Sequence, residues 1–339
     1  MAWSRLRALP LYLGGKRRLL GHIFKWIPPP SEAPVLVDAF MGGGSVSLFG
    51  KARGYRVLAN GIAFRSHVVG QALIANDRVR LDELDIDRLF VKPPEPQTFI
   101  ADHFAYGVFT TRHARFLDRA FYWAHRAEGV KRWMLLLLLI KYILRMRPAG
   151  NFGAKTIIQQ AEDGKWEEMN QNYVRDILAR NIAGHPRTVA RRVLSYVNKG
   201  VFTNGLQNEA HQLDVFDFLD RVEGDVVYLD PPYVGTQSYE QSLRVLDSIL
   251  AGAISKAPRS VFSTKEARSA LEDLFIACEK FPTWVLSCGN QGFPIAELVD
   301  SIRKFREDIE VEEIKCTHLA ALASDRHRAT NVEYVIRVR

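Results

Sequence analysis

Short apolar, β-branched runs recur near both ends of this chain, with stretches of helical periodicity between them. Pro34–Val35–Leu36–Val37 leads into a glycine cluster, and Tyr55–Arg56–Val57–Leu58–Ala59 follows about one helix later. Toward the other end come Asp225–Val226–Val227–Tyr228–Leu229, Ser260–Val261–Phe262–Ser263, Trp284–Val285–Leu286–Ser287 and Val332–Glu333–Tyr334–Val335–Ile336. Helical patterns cover Ala267 to Phe275 and Ile295 to Phe305. Strands that alternate with helices bury both faces in a parallel sheet layered by those helices. The expected class is therefore α/β, with ligands at the carboxyl ends of the strands.

The middle of the chain has a different pattern. From Asp82 to Val197 there is little strand signal and much helical signal, including the amphipathic stretch His113 to Trp123 and the leucine-dense stretch Met134 to Leu139. Lys92–Pro93–Pro94–Glu95–Pro96 breaks the chain before these stretches, and Pro148–Ala149–Gly150–Asn151 breaks it after them. The expected organisation is a discontinuous domain, residues 1–80 and 201–339, interrupted by a mainly helical insertion over 81–200.

Charge is distributed to match. The net charge of the 339 residues is +8, but residues 1–100 carry +6, residues 101–200 carry +9 and residues 201–339 carry −7. A basic excess confined to the first two thirds suggests a polyanion engaged by one part of the molecule. The three cysteines, Cys278, Cys288 and Cys316, form no CxxC pair, and the nine histidines show no HExxH spacing. A reducing, cytoplasmic setting without disulfide framework or metal site is expected. Trp133 to Ile140 falls far short of the roughly 20 apolar residues of a membrane span. The basic N-terminus lacks the apolar core of a secretory signal.

Three local patterns bear on chemistry. In Val227–Tyr228–Leu229–Asp230–Pro231–Pro232–Tyr233 an apolar strand stops at an acid, two prolines and an aromatic ring. The prolines fix φ and lack N–H groups, so the turn is stiff and offers carbonyl acceptors beside the Asp230 carboxylate. Two acceptors and a flat ring at Tyr233 suit an exocyclic amine on a stacked base. In Asp38–Ala39–Phe40–Met41–Gly42–Gly43–Gly44–Ser45, glycines between a strand and a helix let backbone approach a ligand closely. The spacing is neither the dinucleotide fingerprint nor a phosphate loop. Tyr12–Leu13–Gly14–Gly15–Lys16 precedes the first strand and means little by itself.

Taken together and in this order, the three resemble the N6-adenine-specific DNA methyltransferases, in the subgroup with cofactor motifs first, then a target-recognition insertion, then the catalytic motif. Tyr12 to Lys16 matches the family's aromatic-x-Gly-Gly-Lys, and Asp38, Phe40, Gly42 and Gly44 match its Asp-Pro-Phe-x-Gly-x-Gly, with Ala39 in place of proline. Asp230 to Tyr233 matches its Asp-Pro-Pro-Tyr without change. The resemblance implies a Rossmann-like methyltransferase sheet using S-adenosyl-L-methionine, with Tyr12, Lys16, Asp38, Phe40, Gly42, Gly44, Asn60 and Asp214 at the cofactor. Asp217 is the runner-up to Asp214. It further implies transfer to the N6 amine of an adenine flipped out of double-stranded DNA, carried by Asp230, Pro231, Pro232 and Tyr233. A cognate restriction endonuclease is the further partner it suggests.

One departure stands out. Where the family has a ribose-binding acid after Ala-Asn, this chain has Gly61 after Ala59–Asn60, leaving Asn60 as the substitute partner. Ser263–Thr264 replaces the commoner Ser-Asn. Two kinds of alternative stay open: a DNA-binding protein that kept the fold and lost the cofactor, or methylation of cytosine N4 or RNA adenine. Within the insertion, Arg112, Arg115, Arg119, Arg126, Lys131, Arg132, Arg145, Arg147, Lys155, Arg187, Arg191 and Arg192 are candidates for DNA phosphate contacts. Arg145 to Asn151 is a candidate recognition loop.

Overall fold

The computed structural model describes residues 2–11, 15–232, 239–256, 260–290, 294–315 and 332–339. Seven strands are present among them: β1 (Val35–Asp38), β2 (Arg56–Asn60), β3 (Glu209–His211), β4 (Val226–Leu229), β5 (Thr283–Gly289), β6 (Ile309–Lys315) and β7 (Val332–Val338). They form one sheet in the order β3-β2-β1-β4-β5-β7-β6. Strands β1 to β5 run parallel, and β7 lies antiparallel between β5 and β6. This is the α/β sheet that the alternation of strands and helices predicts, in keeping with the Rossmann-like methyltransferase sheet that the family resemblance implies.

The central strands read as unbroken apolar runs because both of their faces are buried. Successive residues alternate between two cores. Leu36, Val57, Tyr228, Val285 and Val335 enter one, and Val37, Leu58, Leu229, Leu286 and Ile336 enter the other. Helices Val215–Arg221 and Ala267–Cys278 fill the second core through Phe218 and Leu274. The first core takes in the helices of the insertion, which join it through Leu117, Met134 and Leu136 to Ile140 and pack against helix Phe64–Val69.

Helix Ser45–Ala52 connects β1 to β2 and lies directly on the sheet. A Cβ on Gly50 would stand 2.7 Å from Leu36 Cδ2, so only glycine permits this close approach. From β1 the chain turns to β2 on one side, while β4 pairs with β1 on the other. That reversal opens a crevice at the carboxyl ends of β1 and β4, where open α/β sheets bind ligands. The register sets Asp38 beside Tyr228, which leaves Asp230 just beyond the strand end, across the crevice from Asp38.

Residues 81–200 hold the helices Glu83–Arg88, Phe99–Phe104, Thr111–Arg126, Gly129–Arg145, Lys155–Asp163, Gln171–Arg180 and Pro186–Val197, and no named strand. Asp118 is buried within this layer and accepts from the backbone N–H groups of Ile100 (2.7 Å) and Ala101 (2.9 Å), capping the helix that starts there. Among the described residues, no helix is long and apolar enough to cross a membrane.

Two sequence expectations need correction. Ser260–Ser263 does not pair with the sheet; Val261–Ser263 is a single 3₁₀ turn at the cavity wall, where Phe262 is buried. Strands β3 and β6 were not expected from the sequence. β3 has three residues, and β6 (Ile-Glu-Val-Glu-Glu-Ile-Lys) is an edge strand whose exposed face carries charge, as edges commonly do.

Candidate active site

A cavity of about 980 Å³ opens at the carboxyl ends of β1, β2 and β4. It is at the upper end of the range for ligand pockets. Lys16, Asp38, Phe40, Gly42, Gly43, Asn60, Gly61, Asp214, Asp230, Pro231 and Pro232 all line it. Three motifs spread between Lys16 and Pro232 in sequence thus meet in one place. His125 and Arg132 line the same cavity from the insertion, so the helical layer forms part of its wall. Tyr12 and Tyr233 lie outside the described residues.

Asp38 ends β1 and is 1% exposed. Its Oδ2 accepts from Ser47 Oγ at 2.5 Å, while Oδ1 is buried with no hydrogen-bond partner. Burial pushes its carboxyl up to about 7; Ser47 opposes the shift, and the nearby Asp230 adds to it. A buried carboxylate oxygen without a partner, on a residue that lines a cavity, calls for a donor from a ligand.

The glycines after Asp38 divide the work. Gly42 has φ +51° and lines the cavity with Gly43. Gly44 does not line it. With φ +76° it turns the chain into helix Ser45–Ala52, and a Cβ there would lie 3.0 Å from Val69 Cγ1. Phe40 packs edge-on against Phe262, with ring centroids 5.4 Å apart, and forms an apolar wall.

At the end of β4, Asp230 Oδ1 lies 3.0 Å from Lys16 Nζ, and this pair is only 6% and 18% exposed for Lys16 and Asp230. Ser287 Oγ donates to the same oxygen at 3.2 Å. Lys16 thus stands at the Asp230 carboxylate as well as in the expected cofactor pocket, a link that no spacing in the sequence announced. Asp214 caps helix Val215–Arg221, with Oδ1 accepting from Phe216 N at 2.9 Å, and stands exposed at the cavity wall. Asp217 does not line the cavity.

Asn60 behaves differently from its expected role as a stand-in for the missing acid. Its amide is engaged with the Leu213 backbone, Nδ2 donating to Leu213 O (3.1 Å) and Oδ1 accepting from Leu213 N (3.0 Å). It holds the loop that presents Asp214. Gly61 also has a structural reason. A Cβ there would stand 2.7 Å from Ser66 Cβ, because helix Phe64–Val69 closes in on β2. The position has no room for an acid.

Many of the basic residues singled out in the insertion serve the fold. Arg147 is buried and donates to Leu144 O and Leu11 O. Arg145 donates to Ala179 O and Arg180 O at a helix end, so 145–151 is held as a helix-end loop. Lys131, Arg187 and Arg191 pair with Asp85, Asp87 and Glu83. Arg112, Arg115, Arg119 and Arg126 remain exposed, and among the described residues none has a carboxylate partner. Their spacing of three, four and seven places them along one face of helix Thr111–Arg126, whose last turn reaches the cavity through His125.

Residues 12–154 match the D12 class N6 adenine-specific DNA methyltransferase family. Over those residues the chain is similar to the D12 class. The match holds Lys16, Asp38, the glycine loop and the first half of the insertion; Asp230 lies beyond it. A full-length likeness covers the remainder. The chain is 28% identical over 342 residues to the type II methyltransferase M2.HphI of Haemophilus parahaemolyticus, covering 96% of each. It is 24% identical over 338 residues to the modification methylase LlaI of Lactococcus lactis subsp. lactis, covering 89% of this chain and 50% of that protein. The family resemblance carried by the three motifs is thus met by the comparisons: the matched family is of the adenine-N6 kind, and both relatives carry the names of DNA-modifying methyltransferases.

Proposed function

We propose that this chain transfers a methyl group from S-adenosyl-L-methionine to the N6 amine of adenine in double-stranded DNA, on a base flipped out of the duplex. The observation that carries this reading is the single cavity shared by Asp38, the glycine loop and Asp230, with an apolar wall at Phe40 and Phe262. The domain reading that accompanies it assigns 1–80 and 201–339 to catalysis and 81–200 to target recognition. A restriction-modification partner and a cytoplasmic setting belong to the same proposal.

The residues present fit the cofactor. The orphaned Asp38 Oδ1 suits its ammonium group, and Gly42 and Gly43 give a cradle free of side chains. The Phe40 and Phe262 wall suits its adenine, with the exposed Asp214 carboxylate as acceptor for the adenine amine. Ser45 and Val46 bring the start of helix Ser45–Ala52 to the cavity, which favours a carboxylate. When bound, S-adenosyl-L-methionine supplies an electrophilic methyl group on a sulfonium.

On the chain's side, Asp230 and the Pro231 carbonyl accept the two N–H bonds of the target amine. Accepting both draws the nitrogen toward tetrahedral geometry and frees its lone pair from conjugation with the ring. Pro231 and Pro232 keep those acceptors rigid. The rate gain comes from orientation and electrostatics.

Gly61 bears on the alternative of an inactive relative. If a lost acid explained it, restoring one would strengthen the cofactor site. The close approach of Ser66 predicts the reverse: Gly61→Asp lowers S-adenosyl-L-methionine affinity about fivefold or more, since overpacking commonly costs about 1–3 kcal/mol. Calorimetric titration reads this, and tighter binding in the variant would overturn the explanation.

The arginine stripe supplies the DNA-facing surface. Replacing Arg112, Arg115, Arg119 and Arg126 together by Gln should flatten the log–log salt dependence of DNA affinity by roughly 3 to 4, at about 0.9 for each phosphate no longer neutralised. The single-turnover rate at saturating DNA should be unchanged. An unaltered salt slope would show the stripe to be merely solvated. Sequencing methylated bases in DNA from cells expressing the chain tests the proposed function itself. N6-methyladenine confined to one recurring sequence is expected, and its absence, or methylcytosine instead, would refute it.

A further inference from the structure

We propose that Ser287, supported by Tyr228, is a positioning residue for Asp230, and that the two hydroxyls form a relay fixing the orientation in which the carboxylate meets the target amine. This rests on the functional reading above. The relay follows from the sheet itself. Tyr228 and Asp230 are two residues apart at the end of β4, so their side chains leave on the same face. In the parallel register Leu229 pairs with Leu286, which brings Ser287 of β5 alongside Asp230.

Tyr228 Oη lies 2.6 Å from Ser287 Oγ, and Ser287 Oγ donates to Asp230 Oδ1 at 3.2 Å. Because the one hydroxyl proton of Ser287 goes to Asp230, the Tyr228 O–H donates to Ser287 Oγ. Tyr228 and Ser287 are each 1% exposed, so both hydroxyls are shielded from bulk water. Lys16 Nζ meets the same Oδ1 at 3.0 Å. Two donors from separate elements, β5 and the segment before the first strand, thus converge on Oδ1. That convergence fixes the carboxylate plane and with it the direction from which the amine is received. Ser287 does not line the cavity, and Tyr228, which does, is assigned its role through the hydroxyl bond to Ser287. They act through Asp230, and their influence belongs to the step in which the amine is held, not to binding.

The test is steady-state and single-turnover methyl transfer to DNA with wild type, Ser287→Ala, Tyr228→Phe and the double variant, alongside calorimetric binding of S-adenosyl-L-methionine. Ser287→Ala is expected to lower kcat about tenfold, with KM for DNA and cofactor affinity within about twofold of wild type. Tyr228→Phe is expected to lower kcat about threefold. The double variant should be no slower than Ser287→Ala, because Tyr228 acts only through Ser287. Unchanged kcat in Ser287→Ala would overturn the relay. So would losses that multiply in the double variant, or a parallel fall in cofactor affinity and thermal stability marking a general packing defect. Tyr228→Phe removes a single oxygen, and its kcat alone decides the outer half of the relay should Ser287→Ala fail to fold. A wild type that methylates no DNA would instead refute the functional reading on which the relay depends.

Discussion

Asp230→Ala is expected to reduce methyl transfer to DNA by about a thousandfold, the scale seen when a positioned acid–base or electrostatic group is removed. The carboxylate is one of only two acceptors proposed for the target amine, and Pro231 supplies the other through its backbone. Loss of the side chain leaves the amine conjugated with its ring and its lone pair unavailable. The same substitution frees Lys16 Nζ from its ion pair in a largely buried setting. Asp230→Asn is therefore the cleaner companion: it keeps the shape and still accepts at one oxygen. Both variants should retain the wild-type far-ultraviolet spectrum and DNA affinity, because Asp230 stands beyond the strand end and outside both cores. Undiminished transfer by Asp230→Ala would remove the residue from the mechanism.

Asp38→Asn is expected to weaken S-adenosyl-L-methionine binding at pH 8 about tenfold to a hundredfold, the value of a hydrogen bond to a charged group. The pH dependence carries more information. With the Asp38 carboxyl pushed up to about 7 by burial, the free protein holds a proton there below neutrality. A cationic ligand favours the ionised carboxylate, so binding below pH 7 must expel that proton. Wild-type affinity should rise about tenfold per pH unit up to about 7 and flatten above it. Asp38→Asn should lose this dependence. The effect on stability has the opposite sign. A raised carboxyl makes the native state bind more protons than the unfolded chain between about 4 and 7. Asp38 therefore favours folding at acid pH, and this contribution falls as pH rises through that window. At pH 8 Asp38→Asn should melt no lower than wild type. Calorimetry from pH 5.5 to 8.5 measures both effects, and a flat wild-type affinity profile would contradict the role given to Asp38.

What the sequence disclosed and what it hid have separate physical causes. Asp38 and Asp230 were legible because each ends an apolar run with a charge at a strand terminus, and such interruptions have few structural reasons. The central strands were legible because burial on both faces demands continuous apolar runs. Strand β6 was not, since its alternating charges also suit a solvated loop. Ser260–Ser263 misled because four apolar and hydroxyl residues suit a buried turn as well as a strand. The ion pair of Lys16 with Asp230 joins residues 214 positions apart and leaves no periodicity to find. Gly61 had looked like a missing function. The approach of Ser66, visible only in three dimensions, makes it a packing requirement. The basic residues of the insertion were alike in sequence. Only their partners separate the buried Arg147 and the paired Arg187 and Arg191 from the exposed stripe on helix Thr111–Arg126.

The central claim is that this cavity moves a methyl group from S-adenosyl-L-methionine to an adenine amine in DNA. Its most direct test supplies the purified chain with unmethylated duplex DNA and cofactor carrying a trideuterated methyl group, then digests the DNA to nucleosides for mass spectrometry. The account predicts trideuterated N6-methyldeoxyadenosine, present with wild type and absent with Asp230→Ala. Label on cytosine, or no label on any nucleoside while the cofactor binds, would contradict it.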